Sequence, residues 1–333
     1  MKKYYYLLLL VALCGACKKE KPGPVITTTK PAPKVTSAEY IDSLLFVNVN
    51  NYQIVTDSAV ASFSCSDTHI KMSSTGLITR LTSSEVVPIT ITWKNPKLGS
   101  TTIYALGAMD TNQDLPFKNY QGALATNAYA SYLQGWKTLQ RLPITGETYA
   151  IVLRHADASY GQDFPLIHNY PAPQFWWESP DSTLARQLNQ QGIQRAAILG
   201  QVFKDLKFPI KRVITSEFYR ARQTAALMNM GPTPTEDNRI NHPTHNIYSL
   251  YSGMTAIIGE QPIDNQMTLI VAHHPINELQ AVTGYPSFPS VSPFNWTAAY
   301  LIKVETDGAI TYEGAASYGM FKCWRDIKLG MTN

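Results

Sequence analysis

The chain has 333 residues, of which 44% are hydrophobic, 11% aromatic and 16% charged, with a formal net charge of +4. Its length exceeds the usual single-domain range, so two domains are expected, and its apolar content excludes a disordered chain. No stripe or cluster of Lys and Arg occurs, which excludes nucleic acid as a partner and makes the positive charge that matters a local one.

Lys2 and Lys3 precede an apolar stretch from Tyr4 to Leu13 that is too short to span a bilayer as a stable helix. It ends at Cys14-Gly15-Ala16-Cys17, with small residues before Cys17. The pattern is similar to a bacterial lipoprotein signal peptide over residues 1–16, which implies cleavage before Cys17 and lipidation of that residue. Loss of Lys2 and Lys3 would leave a charge of 4 − 2 = +2. Cys14 stands where such signals usually carry an aliphatic residue, and the competing reading is an ordinary secretory signal with an incidental cysteine. More than one acyl chain makes anchoring stable. The resemblance therefore implies a membrane partner through Cys17 and a place in the cell envelope, on the periplasmic or surface-exposed face of the outer membrane. Residues 17–35 form a Pro/Thr/Lys tether that reaches on the order of 50 Å if extended. Cys65 and Cys323 then remain, in different expected domains, so no disulfide is expected within either.

Residues 36–108 read as an all-β module, with short Val/Ile/Thr-rich runs between turn residues. Val87, Ile89, Ile91 and Trp93 alternate with Pro88, Thr90, Thr92 and Lys94, the pattern of a half-buried strand. The stretch Ser64 to Asp67 through Ser74 to Thr79 resembles bacterial Ig-like domains, which implies a small β-sandwich acting as a spacer or docking module. Its protein partner is left open.

Residues 112–333 change to an α/β pattern. Ala123 to Leu142 reads as a helix with Tyr129, Tyr132, Leu133, Trp136, Leu139 and Leu142 on one face. Tyr149 to Leu153 reads as a buried strand. Residues 157–181 are rich in aromatics, among them Tyr160, Phe164, Tyr170, Phe175, Trp176 and Trp177, which either close the core or pack on an organic leaving group. Asn189 is a suitable N-cap for a helix that buries Ile193, Ala196, Ala197, Gly200 and Phe203. A strand near Val213-Ile214 leads to a helix carrying Arg220, and Leu269 to Ala272 leads to a helix near Asn277 to Val282. Two final strands, Ala298 to Val304 and Ala309 to Gly314, flank the turn Thr306-Asp307-Gly308.

Three strand ends carry the chemistry: Leu153-Arg154-His155-Ala156, Ser216-Glu217-Phe218-Tyr219-Arg220-Ala221-Arg222-Gln223-Thr224, and Val271-Ala272-His273-His274-Pro275. In an open α/β sheet ligand groups gather where strands end. Two imidazoles and two guanidiniums converging there form a cationic pocket shaped for a phosphoryl group. Over roughly residues 145–325 the chain resembles the histidine phosphatase superfamily, whose fold is phosphoglycerate mutase-like. That fold is α/β, an open, mostly parallel sheet with helices on both faces. The resemblance implies that His155 is the nucleophile of a phosphohistidine mechanism, with Arg154, Arg220 and His273 binding the phosphate. It implies no cofactor and no metal, and a small phosphorylated substrate. A general acid is also needed. Glu236 is the first choice among Glu236, Asp237, Glu260 and Asp264, none of which lies in a recognisable motif, and Asp157 is a further candidate. Arg222 reads as solvent-facing or salt-bridged. The expected activity is a lipid-anchored extracytoplasmic phosphohydrolase. The alternatives are a mutase and a catalytically idle binding lipoprotein on an inherited phosphatase fold.

Overall fold

The computed structural model describes residues 34–37, 40–41, 44–47, 51–68, 70–81, 86–106, 123–143, 146–159, 163–164, 171–241, 250–274, 291 and 294–330. The signal segment, Cys17, most of the tether, the readings at Tyr160 and Tyr170, and the helix expected near 277–282 lie outside these residues.

The N-terminal part forms eight short strands: β1 (Tyr40–Ile41), β2 (Leu44–Phe46), β3 (Asn51–Gln53), β4 (Val60–Ser64), β5 (Ile70–Met72), β6 (Leu77–Arg80), β7 (Val86–Trp93) and β8 (Ser100–Leu106). They build a five-stranded sheet in the order β1-β2-β8-β7-β4 and a three-stranded sheet in the order β3-β6-β5. Alternation along β7 turns Val87, Ile89, Ile91 and Trp93 inward, where they share one core with Tyr52, Ile70 and Ile78 of the smaller sheet.

The remainder comprises α1 (Ala123–Arg141), β9 (Thr148–Arg154), α2 (Gln190–Asp205), β10 (Ile210–Thr215), α3 (Tyr219–Met228), β11 (Thr235–Glu236), α4 (Leu250–Gly259), β12 (Met267–Ala272), β13 (Ala299–Val304), β14 (Ile310–Ala316) and α5 (Tyr318–Leu329). Its sheet runs β11-β10-β12-β9-β13-β14. The first four strands are parallel; β13 is antiparallel to β9, and β14 to β13. Strands β9 and β12 are apolar and buried along nearly their whole length, as expected of strands covered on both faces. Helix α2 touches α3 and α5, and α5 touches α1. Helix α4 joins β11 to β12 in the chain and touches β14.

Helix α2 begins where Asn189 Oδ1 accepts from Gly192 N at 2.8 Å. Gly192 is required there, because a Cβ would meet Asp157 O at 2.1 Å. Helix α1 lies equally close to β14. A Cβ on Gly135 would fall 1.8 Å from Ala315 O, Gln134 Nε2 donates to Tyr312 O at 3.1 Å, and Thr138 Oγ1 donates to Glu313 O at 2.8 Å. Of the predicted α1 stripe, Tyr132, Trp136, Leu139 and Leu142 are buried. Helix α5 also contacts β7 and β8, and Leu44 and Tyr104 join the larger core rather than the smaller one. Cys65 and Cys323 are both free thiols. Among the described residues, no helix is long and apolar enough to cross a membrane.

Candidate active site

Register brings the three strand ends into one row. Arg154 pairs with Ala272 across β9 and β12, and Thr215 pairs with Val271 across β10 and β12. The residue after each strand is therefore His155, Ser216 or His273, and all three are buried. His155 and His273 meet edge to face with ring centroids 5.2 Å apart.

Helix α3 enters this row through its own N-terminus. Ser216 Oγ accepts from Phe218 N at 3.2 Å, satisfying one of the amides left open where the helix begins. Thr224 Oγ1 accepts from Ala156 N at 3.0 Å and donates to Arg220 O at 2.8 Å, which ties the helix to the turn after β9. The serine, arginine and threonine of that segment thus have separate duties.

Arg220 is fully buried. Its Nε donates to His155 Nε2 at 3.1 Å and its Nη1 to Asp163 Oδ1 at 3.1 Å, while Nη2 has no hydrogen-bond partner among the described residues. Burial draws its pKa down to about 10, and Asp163 opposes that shift. The guanidinium remains charged at neutral pH. His155 Nδ1 lies 2.8 Å from Ala156 O, a contact that requires Nδ1–H as the donor and leaves Nε2 as the basic nitrogen. Burial first, and then Arg220 and Arg154, hold the His155 pKa well below the ordinary histidine value, so the ring is neutral and nucleophilic.

Arg154 is held from the opposite side. Its Nη1 donates to Phe294 O at 2.6 Å and its guanidinium carbon lies 3.7 Å from the centre of the Trp296 ring. That indole also sits 5.0 Å from the His155 ring. Arg186, 3.8 Å from Asp163, is close enough to depress His155 and Arg220 further. His274, next to the row, is drawn down to about 4 by burial and by Arg154.

The structure thus brings together Arg154, His155, Arg220 and His273. Each of the acids considered from sequence sits in an arginine pair: Glu236 with Arg222 at 3.0 Å, Asp237 with Arg239 at 2.7 Å, Asp264 with Arg212 at 2.6 Å and Asp157 with Arg195 at 3.3 Å. Glu260 shares Arg239 at 2.8 Å. Glu236 and Arg222 line an open pocket with Thr215 and Tyr219. Trp176 is buried against Phe164, Ala185 and Phe218, and Trp177 Nε1 donates to Glu217 at 3.3 Å. Asp163, Arg186 and Trp296 were not anticipated from sequence. Among the described residues, no group of three or more His, Cys, Asp or Glu side chains is placed to hold a metal ion.

Residues 177–241 match the histidine phosphatase superfamily (branch 1). That segment contains Ser216, Arg220 and Thr224, while His155 and His273 flank it. No curated protein matches the chain. Among solved structures, the protein histidine phosphatase SixA complexed with tungstate is similar at 18% identity, covering 51% of this chain and 97% of its own, with a TM-score of 0.34. A mycobacterial glucosyl-3-phosphoglycerate phosphatase complexed with VO3 is similar at 10% identity, with 51% and 99% covered and a TM-score of 0.33. Phosphoglycerate mutase from Plasmodium falciparum is similar at 13% identity, with 50% and 88% covered and a TM-score of 0.30.

Proposed function

We propose that this chain is a phosphohydrolase that cleaves small phosphate monoesters through a phosphohistidine formed at His155. The observation that carries the reading is the presentation of His155 Nε2: its ring is buried and neutral, Nδ1 is tied to Ala156 O, and Arg220 meets Nε2 at 3.1 Å. Arg154 and Arg220 supply charge to the phosphoryl oxygens as negative charge develops. As substrate binds, Arg220 turns from the Nε2 lone pair to the phosphoryl oxygens. Nε2 attacks phosphorus, the N–P bond forms as the bond to the leaving oxygen breaks, and that oxygen takes up a proton from water. Water then attacks phosphorus, releases inorganic phosphate and returns His155 to its starting form. The family match at residues 177–241 supports the reading because it spans Arg220 and its helix.

The wider setting rests on the sequence alone. A lipid at Cys17 would hold the enzyme in the cell envelope outside the cytoplasm, with residues 36–108 as an Ig-like spacer. The test is a panel of phosphate esters offered to the parent and to His155→Ala, with acid-labile phosphoenzyme trapped by rapid quench. The parent should turn over in EDTA and be inhibited by tungstate, and His155→Ala should do neither chemistry nor phosphoenzyme formation. Parent-like turnover by His155→Ala would overturn the assignment.

A further inference from the structure

A hydrogen-bond network behind His273 decides which of its ring nitrogens carries the proton. Ser216 Oγ lies 2.8 Å from His273 Nε2 and 2.9 Å from Asn241 Oδ1, and a hydroxyl has one proton to give. The orientation of Asn241 settles where that proton goes. Asn241 Oδ1 accepts from Glu217 N at 2.9 Å, and Nδ2 donates to Glu217 Oε2 at 2.7 Å. Turning the amide over would set donor against donor at the first contact and oxygen against carboxylate oxygen at the second. Oδ1 therefore faces Ser216 and takes the hydroxyl proton. The serine oxygen is left as an acceptor toward His273, as it is toward Phe218 N at 3.2 Å. The proton between serine and histidine must come from Nε2.

We propose that Asn241 is a positioning residue that, through Ser216, holds His273 in its Nε2–H form, so that Nδ1 is the nitrogen whose proton changes during turnover. In the neutral ring Nδ1 carries a lone pair, and it can donate to a phosphoryl oxygen only after the ring gains a second proton. Ser216, Asn241 and His273 are each exposed by 2% or less, so water cannot stand in for a missing member. The kinetic consequence rests on the phosphatase reading; the position of the proton does not.

Nuclear magnetic resonance of the full chain with ¹⁵N-labelled histidine tests this, with His273→Gln identifying the resonances of His273. The parent should show protonated Nε2 at His273. In Asn241→Leu the serine proton loses its acceptor and turns to Nε2, so the histidine proton should move to Nδ1. In Asn241→Leu/Ser216→Ala that donor is gone and the proton should return to Nε2. Turnover of Asn241→Leu should fall about tenfold, the cost of one misplaced hydrogen bond. An Nδ1–H ring in the parent, or an unchanged ring in Asn241→Leu, would overturn the proposal. Should Asn241→Leu not fold, the parent spectrum decides alone. The expected spectra in a protein that releases no phosphate would keep the proton assignment and refute the phosphatase reading.

Discussion

Replacing Arg220 separates what the site does for chemistry from what it does for stability. Arg220→Met removes the donor to His155 Nε2 and the partner 3.1 Å from Asp163, leaving that buried carboxylate with Arg186 at 3.8 Å. Removing one member of a buried ion pair costs about 3–5 kcal/mol, because the remaining charge stays desolvated. Losing one preorganised donor to the phosphoryl group costs on the order of 10²–10³ in rate. The two losses have different remedies. Arg220→Met/Asp163→Asn no longer buries an unmatched charge, so most of the lost stability should return while the rate stays at least about a hundredfold down. Urea unfolding measures the first effect, and phosphate release with tungstate affinity measures the second. A double variant that recovers turnover to within about tenfold of the parent would show that Arg220 acts through folding rather than on the phosphoryl group.

Trp296→Ala should loosen Arg154, whose guanidinium rests on the indole. A desolvated cation–π contact contributes roughly 1–2 kcal/mol, so kcat/KM should fall about five- to thirtyfold, and an unchanged value would remove Trp296 from the site. Stability should fall with acid. Folded His155 stays well below its ordinary pKa of 6.5 and His274 stays near 4, whereas in the unfolded chain both titrate near 6.5. The unfolded chain then binds protons that the folded chain does not, so stability present above pH 6.5 is lost as pH drops toward 4, at up to about 1.4 kcal/mol per pH unit for each ring. Urea midpoints that do not change between neutral pH and pH 5 would contradict this. Cys17→Ser should leave the protein unprocessed or release it from the membrane fraction; equal membrane association of both forms would mean that Cys17 carries no lipid.

The convergence of Arg154, His155, Arg220 and His273 was legible because Arg154 and the two histidines stand at the ends of buried strands and Arg220 in the first turn of the helix that follows another, where local pattern and the geometry of open sheets agree. The N-cap at Asn189 and the alternation along β7 were legible for the same reason: both are written within a few adjacent residues. Asp163, Trp296 and Asn241 were not. They reach the site from segments with no periodicity or motif spacing, and only tertiary packing brings them beside Arg220, Arg154 and Ser216. Asp163 lies within the aromatic-rich stretch 157–181, whose composition points to packing rather than to a charge partner for Arg220. The choice of Glu236 had no such support, and the structure gives that carboxylate Arg222 as its partner. Leu44 and Tyr104 were assigned by position to the N-terminal module, yet their side chains pack into the larger core beside α5.

The close seating of α1 on β14 bears on self-association. β14 ends the larger sheet, and a bare outer strand offers unpaired carbonyls and amides to any passing chain. Here Gln134 and Thr138 occupy the carbonyls of Tyr312 and Glu313, and the missing side chain at Gly135 lets the helix lie against the strand backbone. The opposite end of the sheet is β11, only two residues long, too short to template a partner. One border is thus covered and the other curtailed, so this sheet presents little hold for strand-to-strand aggregation.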